Sequence, residues 1–278
     1  MEDGENTGYL ADGFRNVDMQ SDFTKFKACL TFIDTLPSFQ SYKSEADRRL
    51  LLSQGGRFID VGCGLGFDTE RIGAKLGKLG KVVGLDNSQQ LLLEAQARLG
   101  EEPGNVSYVL EDAHDMSFGN NWFDGARTDR VLQHVENPSR VIEEMARVVR
   151  PGGRVVCAEP DWGSFMIDDE DLESVETVAA AWTSRLRNKY IGRQLGRLMK
   201  AAGLANIAIS GELLVTSGIT AGNIVFDIEK TCHEVGIKKR TKRYIDWYRK
   251  IEERDKNSPV LSGVTIIVAS GTKPEAQC

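Results

Sequence analysis

The chain has 278 residues, enough to bury one large core or one core with a smaller attached subdomain. Its 41% hydrophobic and 27% charged residues are ordinary for a soluble globular protein, and a net charge of −6 argues against nucleic-acid or anionic-membrane partners. Five scattered cysteines without a C-x-x-C pair suit reduced thiols, and with three histidines they offer no metal framework.

The opening MEDGENTGYL is acidic and lacks the apolar centre of a signal peptide, and no apolar run reaches membrane-spanning length. The expectation is therefore a cytoplasmic protein without a membrane partner. Residues 1–55 read as loop and helix, with FTKFKACLTFIDTL the clearest amphipathic piece. This N-terminal helical cap is also a candidate surface for pairing two subunits.

From Gly56 onward, short β-rich runs alternate with amphipathic helices. RFIDV, KVVGLD, VSYVLE, WFDGAR and RVVCAE read as strands. SQQLLLEAQARLG is a helix with Ser88 as N-cap and Gly100 as stop. NPSRVIEEMARVVRPGG is another, with Asn137 as cap, Pro138 in its first turn and Pro151-Gly152-Gly153 as stop. This alternation predicts βαβ units and a parallel sheet with helices on both faces. NIAISGELLV and SGVTIIVASGTKP add two late strands, and helical insertions at about 162–202 and 221–256 exceed ordinary connections. Together with the N-terminal cap they are expected to form a lid on a 56–278 domain, over the carboxyl ends of the strands, where open α/β sheets bind ligands. The basic stretch KKRTKRY is followed by acids and reads as a solvated helix junction.

The chemistry concentrates in RFIDVGCGLGFDT, where Gly62, Gly64 and Gly66 alternate directly after a strand. A triphosphate loop needs Lys-Ser/Thr after its last glycine, and GFDTE stands there instead. A dinucleotide fingerprint needs G-x-G-x-x-G, and the spacing here is G-x-G-x-G. Three glycines exceed what a structural turn requires, so the backbone is expected to pass close to a ligand. Asp60 and Asp68 flank the loop and would repel a pyrophosphate, which favours a nucleoside without phosphates and with positive charge. Asp86 ends the next strand, 20 residues beyond Gly66, where an acid accepts from both ribose hydroxyls. Asp112, after the third strand, is placed to accept from an adenine amino group, with the Ala113 amide beside it.

On these residues the sequence resembles the class I S-adenosylmethionine-dependent methyltransferases. IDVGCGLGFDT is similar to their first motif, VVGLDNSQQLL to the acidic-strand motif and LEDAHDMSFGNNWFD to the motif around adenine. WFDGARTDRVLQHVENPSRVIEEMARVVRPGGRVVCAEPDW resembles the later motifs, in the flavour of the quinone and small-natural-product branch. The resemblance implies a Rossmann-like α/β fold with a seven-stranded mixed sheet in order 3-2-1-4-5-7-6, the last strand antiparallel. It implies S-adenosylmethionine as methyl donor, with S-adenosylhomocysteine as product. Gly62, Cys63, Gly64 and Gly66, with Asp60, would line its methionine and ribose portion, Asp86 and Asn87 the ribose and adenine, and Asp112 and Ala113 the adenine edge. Arg127 and Thr128 fall near the methionine moiety, although Arg127 is equally suited to a salt bridge with an acid on a neighbouring strand. Tyr9 and Arg15 are candidates for the methionine carboxylate. His134, Asp161 and Tyr190, with Glu159, are candidate bases, His134 being also suited to packing or to touching the cofactor. Glu159, Trp162, Phe14 and Phe165 are candidates for the substrate wall.

The leading expectation is methylation of a small, apolar or aromatic metabolite at C, N or O, in quinone-type or specialised biosynthesis. The alternatives are methylation of a macromolecule, which the acidic composition and the lack of an N/D-P-P-[YFW] motif disfavour, and a non-methylating, cyclase-like use of the same cofactor pocket.

Overall fold

The computed structural model describes residues 10–100 and 104–275. Seven strands form one sheet in the order β3-β2-β1-β4-β5-β7-β6. They are β1 (Arg57–Val61), β2 (Lys81–Asp86), β3 (Val106–Leu110), β4 (Phe123–Asp129), β5 (Val149–Ile167), β6 (Ala205–Ser217) and β7 (Leu261–Thr272). Strands β1 to β5 pair in parallel, and β7 runs antiparallel between β5 and β6. This is the sheet the resemblance implied. Strand β5 extends well past the RVVCAE run, because β7 is long enough to pair with it beyond a register shift between Asp161 and Met166.

The central strands are covered on both faces, so their side chains are buried on both sides of the pleat: Phe58, Ile59, Asp60 and Val61 of β1 are all inside. On one face, α6 (Pro138–Val148) and α8 (Ile191–Ala201) lay Val141, Met145, Leu195 and Met199 against Ile59, Ala126 and Val155. On the other, α3 (Pro37–Leu50) and α4 (Phe67–Leu76) pack Ala46, Leu50 and Ile72 with Phe58, Val82 and Val156. Helix α5 (Gln89–Leu99) lies beside β2 and β3. The caps form as the sequence suggests: Ser88 Oγ accepts from the Leu91 N–H at 3.2 Å and Asn137 Oδ1 from the Arg140 N–H at 3.1 Å. Helix α8 belongs to the sheet layer rather than to the lid. Its buried Leu195 and Met199 each contribute about 1.5–3 kcal/mol of apolar burial.

Of the remaining elements, α1 (Leu10–Gly13), a 3-10 turn (Val17–Met19), α2 (Phe23–Thr35), α7 (Leu172–Thr183) and α9 (Ile219–Phe226) help to wall a cavity at the carboxyl ends of the strands, while α10 (Ile228–Lys238) and α11 (Arg243–Asp255) pack against α7 and α9. The N-terminal segment is tied down at two points. Asp227, between α9 and α10, accepts from the Leu10 N–H at 3.0 Å and from Lys25 Nζ at 2.6 Å. Asp18 caps α5 from outside, accepting from Ser88 Oγ at 2.5 Å and from the Gln89 N–H at 2.8 Å. The apolar face of α2, with Phe26, Cys29 and Ile33, is buried within the chain's own core. Among the described residues no helix is long and apolar enough to cross a membrane, and no His/Cys/Asp/Glu group is arranged to hold a metal.

Candidate active site

A cavity of about 1120 Å³ opens between the strand ends and the cap. One edge of it is the glycine loop. Gly64 sits at φ +54°, and a Cβ there would meet only a Leu30 methyl at 3.6 Å, so its Cα faces open space. Gly66 has a different task. Its φ is +76°, a Cβ would lie 2.0 Å from the Tyr108 hydroxyl, and the residue does not line the cavity. Gly62 lines the cavity but also makes room for Val131. Cys63, next to Gly62, is half-buried and also lines the cavity.

Asp86 is clamped at this edge. Its Oδ2 accepts from the Gly64 N–H at 2.7 Å and its Oδ1 from the Ser88 N–H at 2.9 Å. Burial raises its pKa even against these donors. The loop after β1 and the start of α5 thus jointly fix one carboxylate, with Asn87 beside it on the wall. Further along, Asp112 and Ala113 line the cavity. Asp112 accepts from the His114 N–H at 2.9 Å, and His114 Nδ1 lies 2.6 Å from the same oxygen. Burial pushes this carboxyl up, but the His114 contacts outweigh it and hold it below its usual range.

Beneath the loop is a buried ion cluster that changes the meaning of its flanking acids. The Arg127 guanidinium, 1% exposed, lies 3.2–3.7 Å from carboxylates of Asp47, Asp60, Asp68 and Asp129. Lys43 Nζ reaches Asp68 at 2.6 Å, and Arg71 also pairs with Asp68. Burial, more than Arg127 offsets, pushes Asp60 up to about 6. At Asp68, Arg127, Lys43 and Arg71 together overcome burial and hold the carboxyl well below its usual range. Asp60 and Asp68 line the cavity, but their charge is answered inside the chain rather than offered to a cation. Arg127 and Thr128 do not line the cavity: Arg127 is the counter-ion of this cluster, and Thr128 is 1% exposed.

The far part of the cavity is aromatic. Phe14 packs edge-on to Phe26 at 4.9 Å and tilts over His134 at 5.6 Å. Trp162 donates its indole N–H to Gln133 Oε1 at 2.7 Å and stands 4.4 Å from the Trp182 ring. Phe165 does not line the cavity and backs this cluster instead, 5.5 Å from Trp182 and 4.9 Å from Phe226.

Three of the base candidates lie away from the cavity. Glu159 is fully buried and accepts the backbone N–H groups of Val131, Leu132 and Gln133 at 2.8, 2.7 and 3.3 Å. Burial pushes its carboxyl up to about 8 despite those donors, and its place is under the loop that carries Gln133 and His134. Asp161 is held by both guanidinium nitrogens of Arg193, at 2.6 and 2.8 Å. Tyr190 is 40% exposed, with Lys189 and Arg193 against its ring. His134 does face the cavity. Burial, then Arg15 and Arg130, push it down to about 3, so it is a neutral imidazole and a weak base. Arg15 also lines the cavity, with a guanidinium nitrogen donating to the Arg185 carbonyl. Tyr9 lies outside the described residues.

Two lining residues escaped the sequence reading, Lys43 and Arg130 near the ion cluster, as did Asp18, the latch on α5; Trp182 and Phe226, expected among the aromatic residues of the helical insertions, stand in the wall. Lys43 had a signal. It stands with Asp47 on the same helical face as Phe39, Tyr42, Ala46 and Leu50, where a charge implies a buried partner.

The site fits a nucleoside cofactor on its own geometry. Gly64 leaves a bare approach to the backbone, and the buried, unpartnered atoms Arg15 Nε, Gln20 Oε1 and His134 Nδ1 all belong to lining residues. Residues 59–157 match the family model for a methyltransferase domain. An uncharacterised 37.1 kDa protein in transposon TN4556 of Streptomyces fradiae is 35% identical over 212 residues, covering 76% of this chain and 59% of that protein. Demethylmenaquinone methyltransferase of Oceanobacillus iheyensis is 33% identical over 131 residues, covering 46% of this chain and 55% of that enzyme. The chain thus spans little more than half the length of these relatives. Among solved structures, phosphoethanolamine N-methyltransferase 2 of Haemonchus contortus, in complex with S-adenosylhomocysteine, superposes with a TM-score of 0.60 at 17% identity, covering 94% of this chain and 59% of that one. The fold and the domain are those of the class I S-adenosylmethionine-dependent methyltransferases. Within that class, the sequence is related to the demethylmenaquinone methyltransferases over a little under half its length.

Proposed function

We propose that the protein transfers a methyl group from S-adenosylmethionine to a small, apolar or aromatic metabolite, in quinone-type or specialised biosynthesis. The observation that carries this is a single cavity joining the Gly64–Asp86–Asp112 edge to a lobe walled by Phe14, Trp162, Trp182 and Phe226. At about 1120 Å³ it exceeds the roughly 300–1,000 Å³ of a typical one-ligand pocket, leaving room for donor and acceptor together. The cofactor, when bound, supplies an electrophilic sulfonium methyl.

The chain's own residues hold and orient. Asp86 accepts from the ribose hydroxyls, Asp112 and the Ala113 amide read the adenine edge, and Arg15 meets the methionine carboxylate. His134 is neutral at pH 7 and serves as a contact rather than a strong base. Glu159, Asp161 and Tyr190 are not at the cavity, so rate enhancement rests on alignment and exclusion of water by the cap. The covering cap and the net charge of −6 favour a small acceptor over a nucleic acid. Unpaired Cys29, Cys63, Cys157 and Cys232 fit a reducing, cytoplasmic setting.

The test has two parts. S-adenosylhomocysteine should raise the melting temperature, and radiolabelled methyl groups should pass from S-adenosylmethionine into a small-molecule extract. Label appearing only in RNA or protein, or in nothing despite cofactor binding, would overturn the proposal.

A further inference from the structure

Strand β6 closes one end of the sheet, so one of its edges has no strand beside it. It is 13 residues long, and from Ala208 to Ser217 its register with β7 runs unbroken. Proteins keep such edges from pairing with short strands, prolines, lysines or bulges. The sequence ANIAISGELLVTS has no proline, no lysine and a single charge, Glu212, and its one irregularity lies at its start, between Ala205 and Ala208. The opposite edge, β3, has five residues. The N-terminal cap, the other expected pairing surface, has the apolar face of α2 turned into its own core.

The two faces of β6 differ. Leu214 and Thr216 are buried on the α3 side. On the α8 side Ile209 and Leu213 are 55% and 54% exposed, with Gly211 between them. Ile209 leans over α8 at Gly196, where a Cβ would lie 2.7 Å from its Cδ1. Nothing in the chain itself asks for glycine at position 211. Its φ is not positive, and a Cβ there would meet Thr265 and Ile267 side chains at 3.4 and 3.6 Å, ordinary contact distances. A glycine inside a regular strand weakens it, and often marks a place where another backbone comes close.

We infer that the edge of β6 docks a second copy of this chain, the two strands running antiparallel about a two-fold axis at Gly211. The strand is its own complement in that register. Ile209 of each copy falls opposite Leu213 of the other, about 4.5–5.5 Å apart at Cβ, and the four side chains close over the paired glycines. On the α3 face Glu212 falls opposite Ser210 of the other copy. One diagonal step from it, about 7–8 Å, is Ala208, whose carbonyl accepts from Arg49 at 2.8 Å. Glu212 has no ion pair of its own among the described residues, so the strand's one acid meets a guanidinium across the axis. Any strand would satisfy the bare backbone; the Ile209–Leu213 and Glu212–Arg49 matches select this chain's own sequence, read in reverse. The pairing is independent of the methyl-transfer reading, because β6 lies at the far end of the sheet from β2, which carries Asp86.

Sedimentation velocity on the full chain, between about 1 and 100 µM, tests the pairing. The wild type should shift from monomer to dimer across that range, as suits a small interface. Leu213→Lys puts a charge at the axis and should weaken the dimer at least about tenfold, and Glu212→Arg about three- to tenfold. Both positions lie on the open edge, and an unchanged melting temperature shows that the variants fold. Oxidation then reads the register on non-reducing gels, with the wild type as blank. Gly211→Cys brings two thiols within about 4.5–5.5 Å at Cα and should give a covalent dimer. Leu213→Cys leaves its thiols four residues apart along the strands, about 14 Å, and should not. A wild type that stays monomeric at 100 µM, with the edge left to another partner, overturns the inference. So does a dimer that Leu213→Lys leaves intact, or a cross-link at position 213 instead of 211.

Discussion

Asp86→Asn isolates the charge at the nucleoside station with little change of shape. In the empty site the two effects of the substitution oppose each other. Either the Gly64 or the Ser88 N–H, now 2.7 and 2.9 Å from a carboxylate oxygen, comes to face an amide NH₂, at a cost of about 1–3 kcal/mol. Against this, burial already disfavours the ionised carboxyl, and the amide carries no charge to bury. The variant should fold with a melting temperature close to wild type. With cofactor product bound the balance changes, because two ribose hydroxyls lose a charged acceptor. At about 1.5–3 kcal/mol for a charge-assisted hydrogen bond, partly retained by the amide oxygen, the net loss is about 2–3 kcal/mol, or roughly 30- to 150-fold in Kd. Calorimetric titration with S-adenosylhomocysteine reads this directly. At a ligand concentration 100 times the wild-type Kd, the wild type gains about 2.7 kcal/mol and the variant about 0.3–0.9 kcal/mol. At about 2–4 °C per kcal/mol for a chain of this size, the shifts are roughly 5–10 °C and about 1–3 °C. A variant that folds normally and binds within threefold of wild type would refute the assignment of Asp86 to the ribose.

The last two glycines of the loop should separate by variant: Gly66→Ala puts a Cβ 2.0 Å from the Tyr108 hydroxyl and should cost about 2–4 kcal/mol in urea denaturation, whereas Gly64→Ala meets only Leu30 at 3.6 Å and should cost about 1 kcal/mol while weakening S-adenosylhomocysteine binding. The reverse order of stabilities would contradict the packing role given to Gly66. His134 has its folded pKa pushed down to about 3, so below about pH 6.5 the unfolded chain binds a proton that the folded one does not, and stability falls as pH drops, by up to about 1.4 kcal/mol per unit. His134→Gln should therefore show a flatter melting-temperature profile between pH 7 and 5 than the wild type, and an equal slope would sink the burial argument. Arg127→Met leaves four carboxylates without their shared cation and should destabilise by about 3–5 kcal/mol at pH 7.5, with a smaller deficit at pH 5.5, where Asp60, pushed up to about 6, takes a proton. Denaturation curves at the two pH values check both the size and the trend.

The parts of the fold legible in the sequence are those set by local chemistry. Ser88 and Asn137 cap helices because their side chains reach N–H groups three residues on, and the β-rich runs in β1 to β3 are short, apolar and bounded by turns. Sheet order came from the resemblance, since periodicity does not say which strands are neighbours. Long-range pairing is what local signals miss. The length of β5 depends on β7, about a hundred residues later, and α8 looks like part of an insertion until Leu195 and Met199 are seen against the sheet. The ion cluster is the same problem in charged form. Asp60 and Asp68 look like a negative field around the loop until Lys43 and Arg127 arrive from α3 and β4 to join Arg71, three residues on from Asp68.

At the end of β5 the pleat itself sorts the candidates. Glu159, Pro160, Asp161 and Trp162 are consecutive, and all but the proline looked like site residues. The strand does not stop at Glu159. It runs on to Ile167, so side chains continue to alternate between its two faces. Pro160 and Trp162 line the cavity, while Glu159 and Asp161 do not: the first fixes the Val131–Gln133 backbone and the second pairs with Arg193. A two-residue period, applied one turn further than the apolar run suggested, would have kept Trp162 and released both acids. Those acids still matter to the site at one remove. Glu159 holds the turn that carries Gln133, Gln133 takes the Trp162 N–H, and Trp162 in turn stands against Trp182 in the lobe. The aromatic lobe of the cavity is thus shaped from a buried carboxylate outward, through backbone and amide, to the ring of Trp162.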